Sequence, residues 1–179
     1  PGLVGGHCIP VDPYYLTHAS TRVGYDAKIV LAGREVNEAM PGFIAEKLVN
    51  MLAMANTITR GARILILGLA FKADIADTRN SKILELVHAL EKAGAKVDVY
   101  DPNADERLSI DNDLNMIQDP FDTDERWDGL VLGVPHRQFD AERVLGIAQR
   151  LNKPGVFIDI AGKFEAVARI VNGVDYWRP

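Results

Sequence analysis

Arg63-Ile64-Leu65-Ile66-Leu67-Gly68 is an apolar run closed by glycine, and Lys96-Val97-Asp98-Val99-Tyr100-Asp101-Pro102 is a second extended run closed by proline. Between them, residues 81–93 place Ile83, Leu84, Leu86, Val87 and Leu90 at helical spacing, with Gly94 set to end the helix. The first run lacks alternation, so it reads as a strand buried on both faces. Strand, amphipathic helix and strand in this order predict a β-α-β unit with parallel strands and a right-handed crossover.

The same alternation continues toward the C-terminus. Gly129–Val134 reads as a buried strand, residues 140–150 as a helix, Val156–Ile160 as a strand and Val174–Trp177 as a terminal strand. Residues 104–109 suggest a helical turn, and Met116-Ile117 a short strand inside an acidic, irregular stretch over 111–128; residues 166–171 are left unassigned. The expectation is an α/β protein with a Rossmann-like, doubly wound parallel sheet over about residues 61–179. No G-x-G-x-x-G turn accompanies it. Leu67 is followed by Gly68-Leu69-Ala70-Phe71-Lys72, so nothing points to dinucleotide binding by the usual route. Asp101-Pro102 therefore reads as a strand stop rather than a ribose ligand. A ligand is still expected at the carboxyl ends of the strands, where the loop from Gly68 to Arg79 lies.

Toward the N-terminus, a short helix is expected over 13–22, interrupted at Gly24, and one long helix over 27–58. Ile29, Val36, Met40, Ile44, Leu48, Met51 and Ala55 recur at spacings that fit a helix, and Pro41 should kink or split it. A long helix with a broad apolar face outside the β-α-β repeat packs against a second domain or subunit, or is an ordinary core helix. The expected division is 1–22, a loop and short helix; 23–60, a central dimerisation helix; and 61–179, the sheet domain.

Composition narrows the function classes. The 179 residues are 47% hydrophobic and 25% charged, a globular balance, and the net charge of −5 argues against nucleic acid or an anionic membrane as partner. Cys8 is the only cysteine, which excludes an internal disulfide and suits a reducing, cytoplasmic setting. No apolar run approaches the roughly 18 residues of a membrane span. The chain opens inside a motif and without Met, so it is expected to be a piece of something longer.

That opening motif is Gly5-Gly6-His7-Cys8-Ile9-Pro10-Val11-Asp12. Glycines let a ligand approach the backbone, prolines stiffen the loop, and a thiol with a carboxylate four residues on has the makings of an activated nucleophile. A buried, inert cysteine is the alternative. A second stretch, Gly68-Leu69-Ala70-Phe71-Lys72 through Asp77-Thr78-Arg79-Asn80-Ser81, offers an aromatic face, an ammonium and a guanidinium, with Asn80 and Ser81 best read as helix caps. The histidines are weak signals. His7 has no partner at zinc spacing, so no metal is expected; His18 and His88 read as surface residues, and His136, after a strand end, reads as part of a helix-entry loop, with a cleft-lining residue as the alternative.

Together the two stretches resemble the UDP-glucose/GDP-mannose dehydrogenase family, and Pro13-Tyr14-Tyr15-Leu16 is similar to its branch acting on UDP-N-acetylhexosamines. The resemblance implies NAD-dependent double oxidation of C6 of a UDP-sugar through a cysteine thioester, in surface-polysaccharide synthesis. It implies Cys8 as nucleophile, Asp12 as the group that positions water, Gly5, Gly6, Phe71 and Lys72 at the substrate, and Arg79 at NAD. It also implies a homodimer through the long helix and a missing N-terminal domain that binds NAD. Two positions depart from the family: Val11 replaces a lysine found near NAD in UDP-glucose enzymes, and Ala161 stands where relatives place a basic substrate contact, with Lys163 as a possible substitute. A non-catalytic sugar-nucleotide-binding and dimerisation module and a UDP-glucose 6-dehydrogenase are the alternative readings. A response-regulator-like domain fits poorly, since no acidic pair follows the first strand.

Overall fold

The computed structural model describes residues 2–104 and 113–179. Its elements run α1 (Asp12–Arg22), α2 (Lys28–Met54), β1 (Arg63–Leu67), α3 (Lys82–Lys92), β2 (Lys96–Tyr100), β3 (Asn115–Met116), β4 (Gly129–Leu132), α4 (Ala141–Arg150), β5 (Gly155–Asp159), α5 (Glu165–Arg169) and β6 (Val174–Trp177). The six strands form one sheet in the order β3-β2-β1-β4-β5-β6, with every pairing parallel. The chain winds outward in one direction from β1 and then returns to β4 to wind in the other, which leaves a crevice between the carboxyl ends of β1 and β4. The helical turn expected over 104–109 falls largely outside the described residues.

Strand periodicity builds the two sides of the core. Ile64, Ile66, Val97, Val99, Val131, Val156 and Ile158 face α2 and α3. Their neighbours Leu65, Leu67, Leu130, Leu132 and Phe157 face the opposite layer, with Val144, Ile147, Leu151 and Ala168. Successive residues of a strand point to opposite faces, so an unbroken aliphatic run is what a sheet covered on both sides requires. On α3, Ile83, Leu86, Val87 and Leu90 are buried at i, i+3, i+4 and i+7. Ser81 caps this helix by accepting from the Ile83 N–H, and Gly94, in the left-handed region, closes it with paired bonds from the N–H groups of Gly94 and Ala95 to the carbonyls of Glu91 and Leu90.

The long helix is shorter than expected, and its two halves differ. It ends at Met54 because Asn56 takes the left-handed conformation and donates to Ala53 while Thr57 donates to Leu52. Pro41 lies inside it without splitting it. Ile44, Leu48, Met51 and Leu52 are buried in the core of the sheet domain, whereas Ile29 is 90% and Val36 64% exposed. One helix thus covers the sheet with its C-terminal half and presents bare aliphatic side chains with the other. Among the described residues no helix is long and apolar enough to cross a membrane.

Candidate active-site cleft

A cleft of about 220 Å³ opens at the crevice between β1 and β4. Gly5, Phe71, Lys72, Lys82, Val134 and Ala161 are among the residues that line it. Its wall is built by a turn that only glycine permits. Gly68 sits at φ +89°, and a Cβ there would come within 2.5 Å of the Val134 carbonyl. The N–H groups of Gly133 and Val134 both reach the carbonyl of Leu67, locking the ends of β1 and β4 together.

The Cys8 loop is hung from this wall. Gly6 donates its N–H to the Arg79 carbonyl at 3.1 Å, and Asn80 Nδ2 donates to the Gly6 carbonyl at 2.9 Å. Gly5 and Gly6 lie so close to Phe71 that a Cβ on either would fall 2.9 Å from its side chain. One turn earlier, Asn37 on α2 clamps Val4 from both sides: its Oδ1 accepts from the Val4 N–H at 3.0 Å and its Nδ2 donates to the Val4 carbonyl at 2.9 Å. Asn80, expected to cap a helix, is instead a tether in the left-handed region at φ +52°, and Ser81 alone does the capping. Asn37 carried no signal in the sequence, because a polar residue on a helix reads as solvated until its partner is known.

Cys8 and Asp12 are brought together through backbone. The N–H groups of Val11 and Asp12 donate to the Cys8 carbonyl at 2.9 and 2.8 Å, and Asp12 is the first residue of α1. The thiol is exposed, which removes the reading of a buried structural cysteine. Neither residue makes a side-chain hydrogen bond among the described residues, and neither lines the cleft. Arg79 lies on the same side, bound to Asp77 through Nε (3.0 Å to Oδ1) and Nη2 (2.6 Å to Oδ2), with Nη2 3.4 Å from His7 Nδ1. Hydrogen bonds from the Arg79 side chain, and then from its N–H, hold the Asp77 carboxyl down at about 2. The hydrogen bond to Asp77, and then its charge, in turn raises Arg79. His7 packs edge-on to Phe71, ring centroids 6.4 Å apart.

Lys72 lines the cleft with no hydrogen bond or ion pair among the described residues, and its ammonium is open to solvent. Lys82, also at the cleft, is committed elsewhere: it pairs with Glu38 of α2 and with Glu85 at 2.6 Å. Burial pushes Lys82 down, but these two carboxylates outweigh it and leave it raised. The Lys82 hydrogen bond leads in holding Glu38 low, and Arg34, 2.5 Å away, adds to it. Ala161 lines the cleft beyond β5, whereas Lys163 does not and rests over the ring of Phe164.

Asp101 and His136 sit where expected, after a strand and before a helix, but do more than mark those ends. Asp101 does end β2, but its carboxylate is buried and accepts from the N–H groups of Leu69 (2.7 Å), Ala70 (2.8 Å) and Asn103 (2.8 Å) and from His136 Nε2 (3.0 Å). Burial pushes this carboxyl up; the four donors outweigh it and hold it below the usual carboxylate range. His136, expected in a plain helix-entry loop, is fully buried. The amides that a dinucleotide pyrophosphate would need after β1 are thus already taken by a carboxylate, so this turn does not fit NAD. Among the described residues no group of three His, Cys, Asp or Glu is arranged to hold a metal.

The model of the UDP-glucose/GDP-mannose dehydrogenase family's UDP-binding domain matches residues 65–166, and that of its central domain matches residues 1–39. The chain belongs to this family. Within the dehydrogenase family, it is 40% identical over 139 residues to the UDP-N-acetyl-D-glucosamine 6-dehydrogenase of Salmonella typhi, covering 78% of this chain and 32% of the relative. It is 41% identical over 103 residues to the UDP-N-acetyl-D-mannosamine dehydrogenase of Pyrococcus horikoshii, covering 57% of this chain and 24% of the relative. The solved NDP-N-acetyl-D-galactosaminuronic acid dehydrogenase of Methanosarcina mazei Go1 matches with a TM-score of 0.82 at 26% identity, over 99% of this chain and 38% of that one. The chain spans about a third of the length of the family members it matches.

Proposed function

We propose that the chain is the C-terminal portion of an NAD-dependent UDP-N-acetylhexosamine 6-dehydrogenase that oxidises C6 of its sugar to the carboxylate. The observation that carries this is the joint at Phe71: the Gly5-Gly6 pair of the cysteine loop packs on the aromatic that lines the cleft beside Lys72. In this reading the cleft takes the UDP-sugar. Phe71 offers a flat apolar surface, and Lys72 a charge for phosphate or hydroxyl oxygens. Cys8 adds as thiolate to the C6 aldehyde, giving a thiohemiacetal; after its oxidation, water guided by Asp12 cleaves the resulting thioester. Arg79 stands at the nicotinamide side. The two-electron acceptor implied, NAD, has no place at the β1 turn of this sheet and belongs to another domain. Bare Ile29 and Val36 on α2 support a homodimer through that helix.

The test is to supply the intact protein with NAD and UDP-N-acetylglucosamine, -galactosamine or -mannosamine. The reading expects uronate and two NADH per sugar with one of them, and no NADH from the 179 residues by themselves. Oxidation of UDP-glucose in preference to all three overturns the substrate assignment, and no turnover of any nucleotide sugar favours a binding module. Light scattering tests the dimer; a monomer at high concentration counts against it.

A further inference from the structure

Four consecutive residues of the loop after β1, Ala70 to Ala73, line the cleft, and Ser81 lines it from the far end of the loop. The four-residue segment is fixed from below at both ends. Leu69 and Ala70 give their N–H groups to Asp101, and Asp74 gives its N–H to His136 Nδ1 at 2.8 Å. His136 in turn reaches Asp101 through Nε2, so one buried pair holds both ends of the segment. Neither Asp101 nor His136 lines the cleft. Asp74 is held from a further side: its Oδ1 accepts from the Arg137 N–H at 2.8 Å, and Arg137 Nε lies 2.9 Å from its Oδ2.

We propose that Asp101 and His136 are positioning residues that set the pose of Phe71 and Lys72 toward the ligand of the cleft. This rests on the reading of that ligand as a UDP-sugar. The hydrogen bonds fix the roles. His136 Nδ1 accepts from the Asp74 N–H, so its proton sits on Nε2 and points to Asp101. Four donors converge on the two Asp101 oxygens, and an amide in its place would turn an NH2 group toward a donor in either orientation. Among the described residues Lys72 has no side-chain partner of its own, so where its ammonium reaches is set by backbone held at residues 69, 70 and 74. A pair present only to satisfy a buried carboxylate would have no need to bracket the ligand-facing segment.

The experiment uses the intact enzyme and isothermal titration with UDP-N-acetylglucosamine and, separately, NAD. His136→Phe deletes the ring's hydrogen bonds to Asp74, Asn103 and Asp101; His136→Gln can supply one acceptor and one donor. His136→Phe should weaken the UDP-sugar at least about fivefold and leave NAD unchanged, with most of the loss restored by His136→Gln. Lys72→Ala, which alone should cost roughly 10- to 150-fold, should cost no more than about twofold when added to His136→Phe, because the lysine is already misplaced. Full additivity, or unchanged UDP-sugar affinity in folded His136→Phe, overturns the proposal. Asp74→Gly keeps the left-handed backbone at φ 63° and removes the outer anchor without touching the core, so it serves if His136→Phe does not fold. It too should weaken the UDP-sugar, and unchanged affinity counts against the clamp. If Lys72→Ala alone changes nothing, the cleft reading fails on its own. Amide exchange at Leu69, Ala70 and Asp74 then decides the clamp, which is overturned if His136→Phe leaves exchange there unaltered.

Discussion

The loop that follows β1 and the loop that carries Cys8 touch at Phe71 and Gly6, yet they are held in opposite ways. The first is anchored by side chains buried beneath it, Asp101 and His136, and its amides are spent on that anchorage. The second has no side-chain hydrogen bond at its cysteine among the described residues and borrows its tethers from elsewhere, Asn37 on α2 and Asn80 before α3. A recognition surface gains from being part of the core, since rigidity lowers the entropy cost of binding. If Cys8 is the nucleophile proposed above, it must stay open to a reacting carbon, and hanging its loop from a neighbour fixes the backbone while leaving the thiol exposed.

The sharpest test of this contrast is Cys8→Ser. If the second loop carries chemistry and the first recognition, the variant of the intact enzyme should lose uronate formation by at least about 10³-fold, as removal of a nucleophile does, and still bind UDP-sugar normally. Normal double oxidation breaks the contrast at once. Next in size is Lys72→Ala, expected to cost about 1.5–3 kcal/mol in UDP-sugar affinity with NAD affinity nearly unchanged, while Arg79→Ala shows the reverse bias. Titration with each ligand reads both.

Asn37→Ala asks whether the borrowed tether matters. It strips two partners from the part-buried Val4 backbone and should cost about 1–3 kcal/mol, appearing as faster amide exchange at Val4 and lower kcat, with the exchange of Leu69 and Ala70 unaltered. Equal loosening of both loops would mean that they form one unit. The smallest effect is electrostatic. Asp77 is depressed to about 2, so its pairing with Arg79 contributes fully above the ordinary carboxylate range and is lost as pH falls from about 4 toward 2. Relative to the wild type, Asp77→Asn should therefore show its largest stability deficit near neutral pH and converge with it at pH 2. A constant deficit across that range would detach Arg79 from Asp77.

The strands were readable in advance because a run such as Ile64–Leu67 has few solutions other than a covered parallel strand. The glycine pair and Phe71-Lys72 were readable as a site because residue type alone restricts their use. Asp101 and His136 are legible as a strand stop and a loop residue, but their pairing is not, because it lies in partners more than thirty residues apart, in hydrogen bonds that periodicity does not encode. The end of α2 was placed too late for a related reason: Asn56 can sit in a helix or in the left-handed region, and the cap pairing with Ala53 decides which.

Helix α2 can be viewed as a cantilever about 40 Å long, 27 residues at the usual helical rise. Its C-terminal half is clamped on the sheet, whereas Ile29 and Val36 of its N-terminal half stay exposed. Pro41 has no N–H to offer the carbonyl of Asn37, so the weakest rung of the beam falls where the clamp ends. The residue at that rung is the one that grips Val4. If a partner were to press on the exposed Ile29 and Val36, the first contact that a bend at Asn37 would disturb is the grip on Val4, at the head of the cysteine loop.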